Sequence, residues 1–192
     1  MPYRVLIADD ELLVAMQLQH LMVSLGYEVV GSARTGKEAV DLCRTQRPDL
    51  ALMDARMPEM DGLAATRSIV EMCPTCVIMV VGSPHFEQAA AEAGAMAYVV
   101  KPAGPDIASV VETARKRFRC FQDIRNQVGD TNETLKTWGR AWLAVKALMR
   151  EKGVSEDEAC DELKRSAHEQ GVSIRVAAEQ VLARSQSGDG SG

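Results

Sequence analysis

Three aspartates directly follow short apolar runs of the sequence. Asp9 and Asp10 come after residues 5–8, and Asp54 comes after residues 50–53. Such runs predict buried strands, and the carboxyl ends of parallel strands meet at the sheet edge where ligands bind in open α/β proteins. Three carboxylates brought together there repel one another unless a cation lies among them. Since hard oxygen ligands suit Mg²⁺, the pattern predicts a magnesium site beside a reactive aspartate.

Two further strand ends carry groups that suit phosphoryl chemistry. The run at residues 97–100 is followed by Lys101, and the run at residues 76–81 is followed by Gly82 and Ser83. A lysine there can pair with a carboxylate or with phosphoryl oxygens, while Gly82 and Ser83 offer a backbone N–H and a hydroxyl. A nucleophilic carboxylate, a metal and oxyanion partners are what acceptance of a phosphoryl group by Asp54 requires.

The elements that must position these groups alternate along the first part of the chain. Five βα units predict a doubly wound, parallel, five-stranded sheet with helices on both faces. Thr35 is placed to cap the second helix, and Gly26 and Gly94 are placed to end the first and fourth. The predicted strands are 4–8, 28–32, 50–53, 76–81 and 97–100; the predicted helices are 12–25, 36–45, 63–72, 86–93 and a fifth from residue 105.

The rest of the chain reads as helical. The fifth helix continues to about residue 128, longer than covering a sheet requires, and its apolar spacing predicts a dimer seam or a rigid connector. Three helices follow at about 133–151, 155–171 and 173–185, with Ser155 and Glu158 forming a capping box. We therefore predict a sheet domain at 1–120, its last helix reaching about 128, a small three-helix all-α domain at 129–186, and a flexible tail at 187–192.

The first of these three helices is strongly basic. Residues 136–152 contain five cations and one anion. Four cations fall within about 120° of the helix surface, and an apolar face opposite predicts burial of both tryptophans. A basic face is either a solvated surface or a site for an anionic partner. The cations are Lys136, Arg140, Lys146 and Arg150, and the apolar residues are Trp138, Trp142, Val145 and Met149.

The composition of the chain bears on whether it has membrane spans, disulfides or a cysteine-based metal site. The chain has 192 residues and a net charge of −5, with no apolar run long enough to cross a bilayer. Five scattered cysteines indicate reduced thiols and a cytoplasmic protein. Cys73 and Cys76 form a C-x-x-C, but a strand rather than a helix follows and no second pair completes a zinc site, so we predict no redox or metal role for this motif.

Residues 3–120 resemble a response-regulator receiver domain. The resemblance rests on Asp9-Asp10, on Asp54 with Met57-Pro58 and Asp61-Gly62, and on Lys101-Pro102. It implies a flavodoxin-like fold and phosphorylation by a sensor histidine kinase. The implied residue roles are Asp54 as phosphoacceptor; Asp9, Asp10, Asp54 and the backbone carbonyl of Arg56 as Mg²⁺ ligands; Lys101 as the phosphoryl contact, after which Pro102 follows a cis peptide; and Tyr98 as switch aromatic. The family's hydroxyl position aligns with Gly82, with Ser83 one place later.

The helical region from residue 145 to 181 resembles an ANTAR domain. Leu148-Met149, Gly153, Ser155, Glu158-Ala159, Leu163, Ala167, Ala178 and Val181 match its framework. The resemblance implies a regulator, not an enzyme, that binds RNA hairpins and prevents transcription termination, acting as a homodimer at least when phosphorylated. The alternatives are an output domain that binds a protein partner or DNA. The candidate RNA contacts are Lys136, Arg140, Lys146, Arg150, Lys152, Lys164 and Arg165.

Overall fold

The structure, a computed structural model, describes residues 2–128 and 131–188, with only the backbone described at 127–128, 131–132, 134–136 and 186–188. The chain divides into two compact units, Met1–Phe118 and Arg119–Gly192. Lys136, a predicted RNA contact, therefore has a side chain outside the described residues. Most of the predicted flexible tail, residues 189–192, also lies outside them.

The first unit is built on a parallel sheet of five strands in the order β2-β1-β3-β4-β5. The register pairs Ile7 with Leu52 and Asp54 with Val80, so the carboxyl ends of neighbouring strands are level. The predicted doubly wound parallel sheet is confirmed. Its strands are β1 (Arg4–Ala8), β2 (Glu28–Ala33), β3 (Leu50–Asp54), β4 (Cys76–Val81) and β5 (Ala97–Val100).

The central strands are buried on both faces, as their continuous apolar sequences predict. Every residue of β3 and of β4 is buried, and Leu6, Ile7 and Leu52 have no exposed surface. Helices cover both faces of this core. They are α1 (Leu12–Ser24), α2 (Gly36–Gln46), α3 (Gly62–Met72), α4 (Glu87–Ala93) and the first part of α5 (Ile107–Val128).

The helix boundaries follow local sequence signals. The Thr35 side chain accepts a hydrogen bond from the Glu38 N–H at the start of α2, as predicted. Gly26 and Gly94 adopt φ values of +86° and +96° after α1 and α4. Helix α4 has only seven residues and is preceded by a 3₁₀ turn, Pro84–Phe86. The segment between β4 and β5 is therefore short.

The second unit contains the end of α5 together with α6 (Thr131–Lys152), α7 (Glu156–Gln170) and α8 (Ile174–Gly188). The predicted capping box of Ser155 and Glu158 is present at the start of α7. Among residues 2–128 and 131–188, no helix is long and apolar enough to span a membrane.

The far half of α5 contributes apolar residues to the core of the second unit. Phe121 and Ile124 belong to the apolar stripe that we interpreted as a dimer seam or a connector, but both are buried within the second unit. Phe121 packs edge-on against Trp138 of α6, with ring centroids 5.8 Å apart. Those two residues are therefore core residues of the helical unit, because the helices that cover them come later in the sequence.

Candidate functional site: a carboxylate pair and a basic helix

Asp9, Asp54 and Lys101 meet at the carboxyl end of the sheet. Asp9 follows β1, Asp54 ends β3 and Lys101 follows β5. The Lys101 ammonium lies 2.8 Å from Asp54 Oδ1 and 2.8 Å from Asp9 Oδ2. The level ends of parallel strands thus bring together residues far apart in the sequence. The peptide bond between Lys101 and Pro102 is cis, as the resemblance implied.

Burial and charge act against each other at this site. Asp9 has no exposed surface, and burial raises the pKa of its carboxyl while Lys101 lowers it, with a net rise. Burial lowers the pKa of Lys101, but its bonds to Asp54 and Asp9 outweigh burial and the net pKa is raised. At neutral pH the ammonium is therefore a fixed positive charge between two carboxylates.

The loop after β3 holds Asp54 by its backbone. The Arg56 N–H donates a 2.8 Å hydrogen bond to Asp54 Oδ2. Gly62 begins α3 against this loop and its N–H donates to the Ala55 carbonyl at 3.0 Å. A Cβ on Gly62 would lie 1.8 Å from the Asp54 carbonyl oxygen, so only glycine permits this approach of α3 to the strand end. Asp61 caps α3 through the Ala64 N–H.

Asp10 does not join the other two carboxylates in a ready-made metal site. In the part of the chain that the structure describes, no group of three or more His, Cys, Asp or Glu side chains is placed to hold a metal ion. In this arrangement Lys101 is the cation between Asp9 and Asp54. The assignment of Asp10 as a third carboxylate ligand stays a prediction.

The donor chemistry nevertheless fits Mg²⁺. Asp9 and Asp54 are buried carboxylates that supply hard oxygen atoms. Within the described residues, Asp9 Oδ2 is buried and accepts no hydrogen bond of good geometry, although it forms the ion pair with Lys101. Such an oxygen keeps a lone pair available to a cation.

Glu11 is a member of this cluster that the sequence patterns did not identify. Its Oε1 atom lies 3.6 Å from the Lys101 ammonium, and its backbone N–H donates to Asp9 Oδ1 at 3.0 Å. Its side chain is 68% exposed, so its carboxylate lies at the solvent side of the site. Its place directly after two aspartates at a strand end was the available signal.

The predicted hydroxyl position and the predicted switch aromatic lie after β4 and on β5. The Ser83 hydroxyl accepts a 3.4 Å hydrogen bond from the His85 N–H and so caps the 3₁₀ turn. A Cβ on Gly82 would have one neighbour within 4 Å, Arg56 Nη2 at 3.9 Å, so this position has room for a side chain. The Tyr98 ring is half-buried, and its hydroxyl lies 3.5 Å from Glu87 Oε2 on α4.

A second candidate surface lies on α6. Arg140, Lys146 and Arg150 are exposed on one side, while Trp138 and Val145 are each 3% exposed on the other. The predicted amphipathic division of this helix is confirmed for the described side chains. Trp142 is half-buried; it stacks on Trp138, and the Lys146 ammonium lies 5.6 Å from its ring centroid.

The other predicted RNA contacts differ from one another in exposure and in ion pairing. Lys152 forms an ion pair with Glu162, and Lys164 forms one with Asp123 at 2.7 Å. Their charges are partly neutralised inside the helical unit. Arg165 is exposed on α7. An exposed leucine, Leu143 at 51%, stands among the cations of α6, which gives the basic face an apolar contact as well.

Comparison with known families identifies the domains in which these two surfaces lie. The family model described as "Response regulator receiver domain" matches residues 5–112. The model described as "ANTAR domain" matches residues 132–182. The chain belongs to the response regulators.

One relative matches nearly the whole chain, whereas two solved structures match part of it. The chain is 36% identical over 184 residues to transcriptional regulatory protein PdtaR of Mycobacterium tuberculosis, covering 94% of this chain and 90% of PdtaR. Among solved structures, the receiver domain of a modulated diguanylate cyclase from Desulfovibrio desulfuricans is similar, with a TM-score of 0.57, 29% identity and coverage of 62% of this chain and 98% of that one. A CheX–CheY–BeF3–Mg²⁺ complex from Borrelia burgdorferi is also similar, with a TM-score of 0.55, 29% identity, and coverage of 62% and 90%.

Each surface of this response regulator falls inside one matched domain. Asp9, Asp54 and Lys101 lie in the receiver domain, and Arg140, Lys146 and Arg150 lie in the ANTAR domain. The combination of these two domains is that of a regulator rather than of an enzyme. The segment 119–128 lies outside both matched ranges, yet it packs in the same unit as the ANTAR helices.

Proposed function

We propose that this response regulator accepts a phosphoryl group on Asp54 from the phosphohistidine of a sensor kinase, and that its ANTAR domain binds RNA hairpins and prevents transcription termination. The observation that supports the first half most strongly is the Lys101 ammonium, 2.8 Å from both Asp54 and Asp9. A nucleophilic carboxylate with a cation already in contact matches the needs of phosphoryl transfer.

In the proposed reaction, a carboxylate oxygen of Asp54 attacks phosphorus, the P–N bond to the kinase imidazole breaks, and an acyl phosphate forms. Lys101 neutralises the negative charge that arrives with the phosphoryl oxygens. The Arg56 N–H, 2.8 Å from Asp54 Oδ2, holds the carboxylate in place during the attack. Gly82 or Ser83 supplies a further donor, and Tyr98 responds to the change at the strand ends.

Mg²⁺ belongs to this proposal. Asp9, Asp10, Asp54 and the backbone carbonyl of Arg56 would hold it, and bound Mg²⁺ would neutralise charge on the phosphoryl oxygens. The buried Asp9 Oδ2 atom, which accepts no good hydrogen bond within the described residues, supports this assignment. The solved CheY complex from Borrelia burgdorferi, whose name includes BeF3 and Mg²⁺, supports it by similarity.

The proposed RNA surface is the exposed basic face of α6. We assign the main contacts to Arg140, Lys146 and Arg150, with Arg165, Lys152 and Lys164 as secondary contacts. The ion pairs of Lys152 with Glu162 and of Lys164 with Asp123 reduce the attraction of those two lysines for phosphates. The similarity to PdtaR, a transcriptional regulatory protein, supports a role in gene expression.

Phosphorylation would control RNA binding through association of two chains. Two chains present two basic faces, so a dimer binds a tandem or long RNA with greater avidity than a single chain does. We place this regulation in the cytoplasm, where transcripts are made. The alternatives are an output domain that binds DNA or a protein partner.

A gel-shift comparison separates these alternatives. The full chain, with and without a phosphodonor, is titrated into a library of RNA hairpins with randomised loops and into duplex DNA, at several salt concentrations. We expect the hairpin pool to shift, and replacing Lys146 and Arg150 by alanine to lower the salt slope by roughly 1.4–1.8 for two lost phosphate contacts.

The matched control is the double replacement of Lys37 and Arg44 by alanine, which removes two exposed cations of the receiver domain and should change the shift little. A stronger shift of duplex DNA would favour the DNA alternative. Absence of any nucleic-acid shift in both phosphorylation states would favour a protein partner.

A further inference from the structure

Two thiols face each other in the helical unit. Cys120 lies on α5, one turn before Asp123, and Cys160 lies on α7, one turn before Lys164. The two thiols are close enough for each to shift the pKa of the other. Both residues are half-buried, so small reagents can reach them. One turn further along both helices, Lys164 and Asp123 form an ion pair of 2.7 Å. That ion pair holds the same two helices together beside the thiols.

We propose that Cys120 and Cys160 are a site of oxidative modification, at which a peroxide converts the two thiols into an intramolecular disulfide between α5 and α7. The geometry that carries this proposal is the position of two half-buried thiols on α5 and α7, each one helical turn before a partner of the same interhelical ion pair. The proposal is independent of phosphorylation and of RNA binding.

The two sulfurs have different roles. The pKa of Cys120 is lowered because Cys160 donates a hydrogen bond to it; burial opposes this effect and the Lys164 ammonium adds to it. The pKa of Cys160 is raised by its interaction with the Cys120 sulfur and by burial. Since the thiolate is the nucleophile, Cys120 reacts first.

The oxidation balances with one peroxide molecule. The Cys120 thiolate attacks a peroxide oxygen, the O–O bond breaks, and the departing hydroxide takes up a proton to leave as water, which yields a sulfenic acid on Cys120. The Cys160 sulfur then attacks the Cys120 sulfur, the S–O bond breaks, and hydroxide leaves with the Cys160 proton as a second water. Two thiols are oxidised to one disulfide and the peroxide is reduced.

The other cysteines do not share this environment. Cys43 and Cys76 are fully buried, and burial raises the pKa of each to about 12. Cys73 is half-buried, but burial raises its pKa as well. The C-x-x-C of Cys73 and Cys76 is therefore a poor competitor for peroxide, and Cys73 serves as the internal control for an accessible thiol of ordinary or low reactivity.

The test is thiol mapping of the full chain after treatment with hydrogen peroxide. Free thiols are alkylated, the chain is digested, and peptides are identified by mass spectrometry with and without dithiothreitol. We expect one reducible cross-linked peptide pair containing Cys120 and Cys160, present in wild type and in Cys73→Ser and absent in Cys120→Ser and Cys160→Ser. Because the bond closes a loop of about 40 residues, Tm of the oxidised full chain should rise by roughly 5–15 °C.

Trapping with dimedone tests the order of reaction. In Cys160→Ser we expect the sulfenic acid to accumulate on Cys120, whereas in Cys120→Ser the thiol of Cys160 should stay unmodified. Mapping of the wild-type chain shows whether Cys120 and Cys160 form the disulfide even if a variant folds poorly. Oxidation of Cys73 ahead of Cys120, or cross-links that join separate chains while Cys120 and Cys160 remain alkylated, would overturn the proposal.

Discussion

Lys101 Nζ lies 2.8 Å from Asp54 Oδ1, so the proposed nucleophile of the receiver domain is already in contact with the cation that would meet its phosphoryl group. The same ammonium lies 2.8 Å from Asp9, which is fully buried. Lys101 therefore has two separable roles. It offsets the desolvation of Asp9 in the unmodified protein, and it stabilises charge at Asp54 during phosphoryl transfer.

Replacing Lys101 with methionine should separate these roles. The variant leaves the Asp9 carboxylate buried without its cation, and we expect a loss of about 2–3 kcal/mol, below the usual range for a broken buried pair because the Lys101 side chain is 20% exposed. Urea unfolding at neutral pH measures this loss. Adding Asp9→Asn should restore part of the stability but not phosphorylation. If the double variant is less stable than Lys101→Met, the buried Asp9 carboxylate is not the cause of the stability lost in Lys101→Met.

Gly62→Ala should damage the receiver site sterically. Its Cβ would lie 1.8 Å from the Asp54 carbonyl oxygen, so α3 or the end of β3 must move. We expect a destabilisation of about 1–3 kcal/mol and slower phosphorylation. The matched control is Gly139→Ala in α6, where a Cβ meets nothing within 4 Å. That change should stabilise the helix by up to about 1 kcal/mol. Equal thermal stability of the two variants would refute the close-approach explanation.

Gly82→Ser should speed phosphoryl transfer. The position has room for a side chain, and a hydroxyl there can donate to a phosphoryl oxygen. A hydrogen bond to a charged group is worth about 1.5–3 kcal/mol, so we expect a rate increase of roughly tenfold or more with a small-molecule phosphodonor. Ser83→Ala is the comparison, because the Ser83 hydroxyl caps the turn at His85 and its loss should affect stability more than rate. A large rate loss in Ser83→Ala with no gain in Gly82→Ser would instead assign the hydroxyl role to Ser83.

Buried thiols should make the receiver domain sensitive to alkaline pH. Burial raises the pKa of Cys76 from 9.0 to about 12, so the folded state keeps its proton where the unfolded chain has lost it. A raised folded pKa contributes stability that is complete below pH 9 and is lost as pH rises toward 12. We expect Cys76→Val to reduce the slope of stability against pH in that window by about 1.4 kcal/mol per pH unit. An unchanged slope in denaturant titrations between pH 9 and 11 would contradict this.

Much of the receiver domain could be predicted from local patterns. Continuous apolar runs identified β3 and β4 because both strands are buried on both faces. Strand ends then located Asp9, Asp54 and Lys101, since the side chains after parallel strands share one edge. The contact between Lys101 and the two carboxylates depends on side-chain reach from the end of β5, past β4, to the ends of β3 and β1, which spacing in the sequence does not specify.

Other features depended on contacts that are distant in the sequence. The stripe of Phe121 and Ile124 looked unpartnered because Trp138 and the rest of its cover come later in the chain. The pairing of Lys152 with Glu162 and of Lys164 with Asp123 likewise required the packing of the helices to be known. Helical periodicity placed the cations on a face but could not show which of them are neutralised.

The most direct measurement is phosphoryl incorporation from a small-molecule phosphodonor in the presence of Mg²⁺, followed by intact-mass analysis. We expect one phosphoryl group per chain in the wild type and none in Asp54→Asn. The control is Asp61→Asn, which alters a neighbouring carboxylate that caps α3 and should remain phosphorylated. Incorporation into Asp54→Asn at the wild-type level would contradict the assignment of Asp54 as the phosphoacceptor.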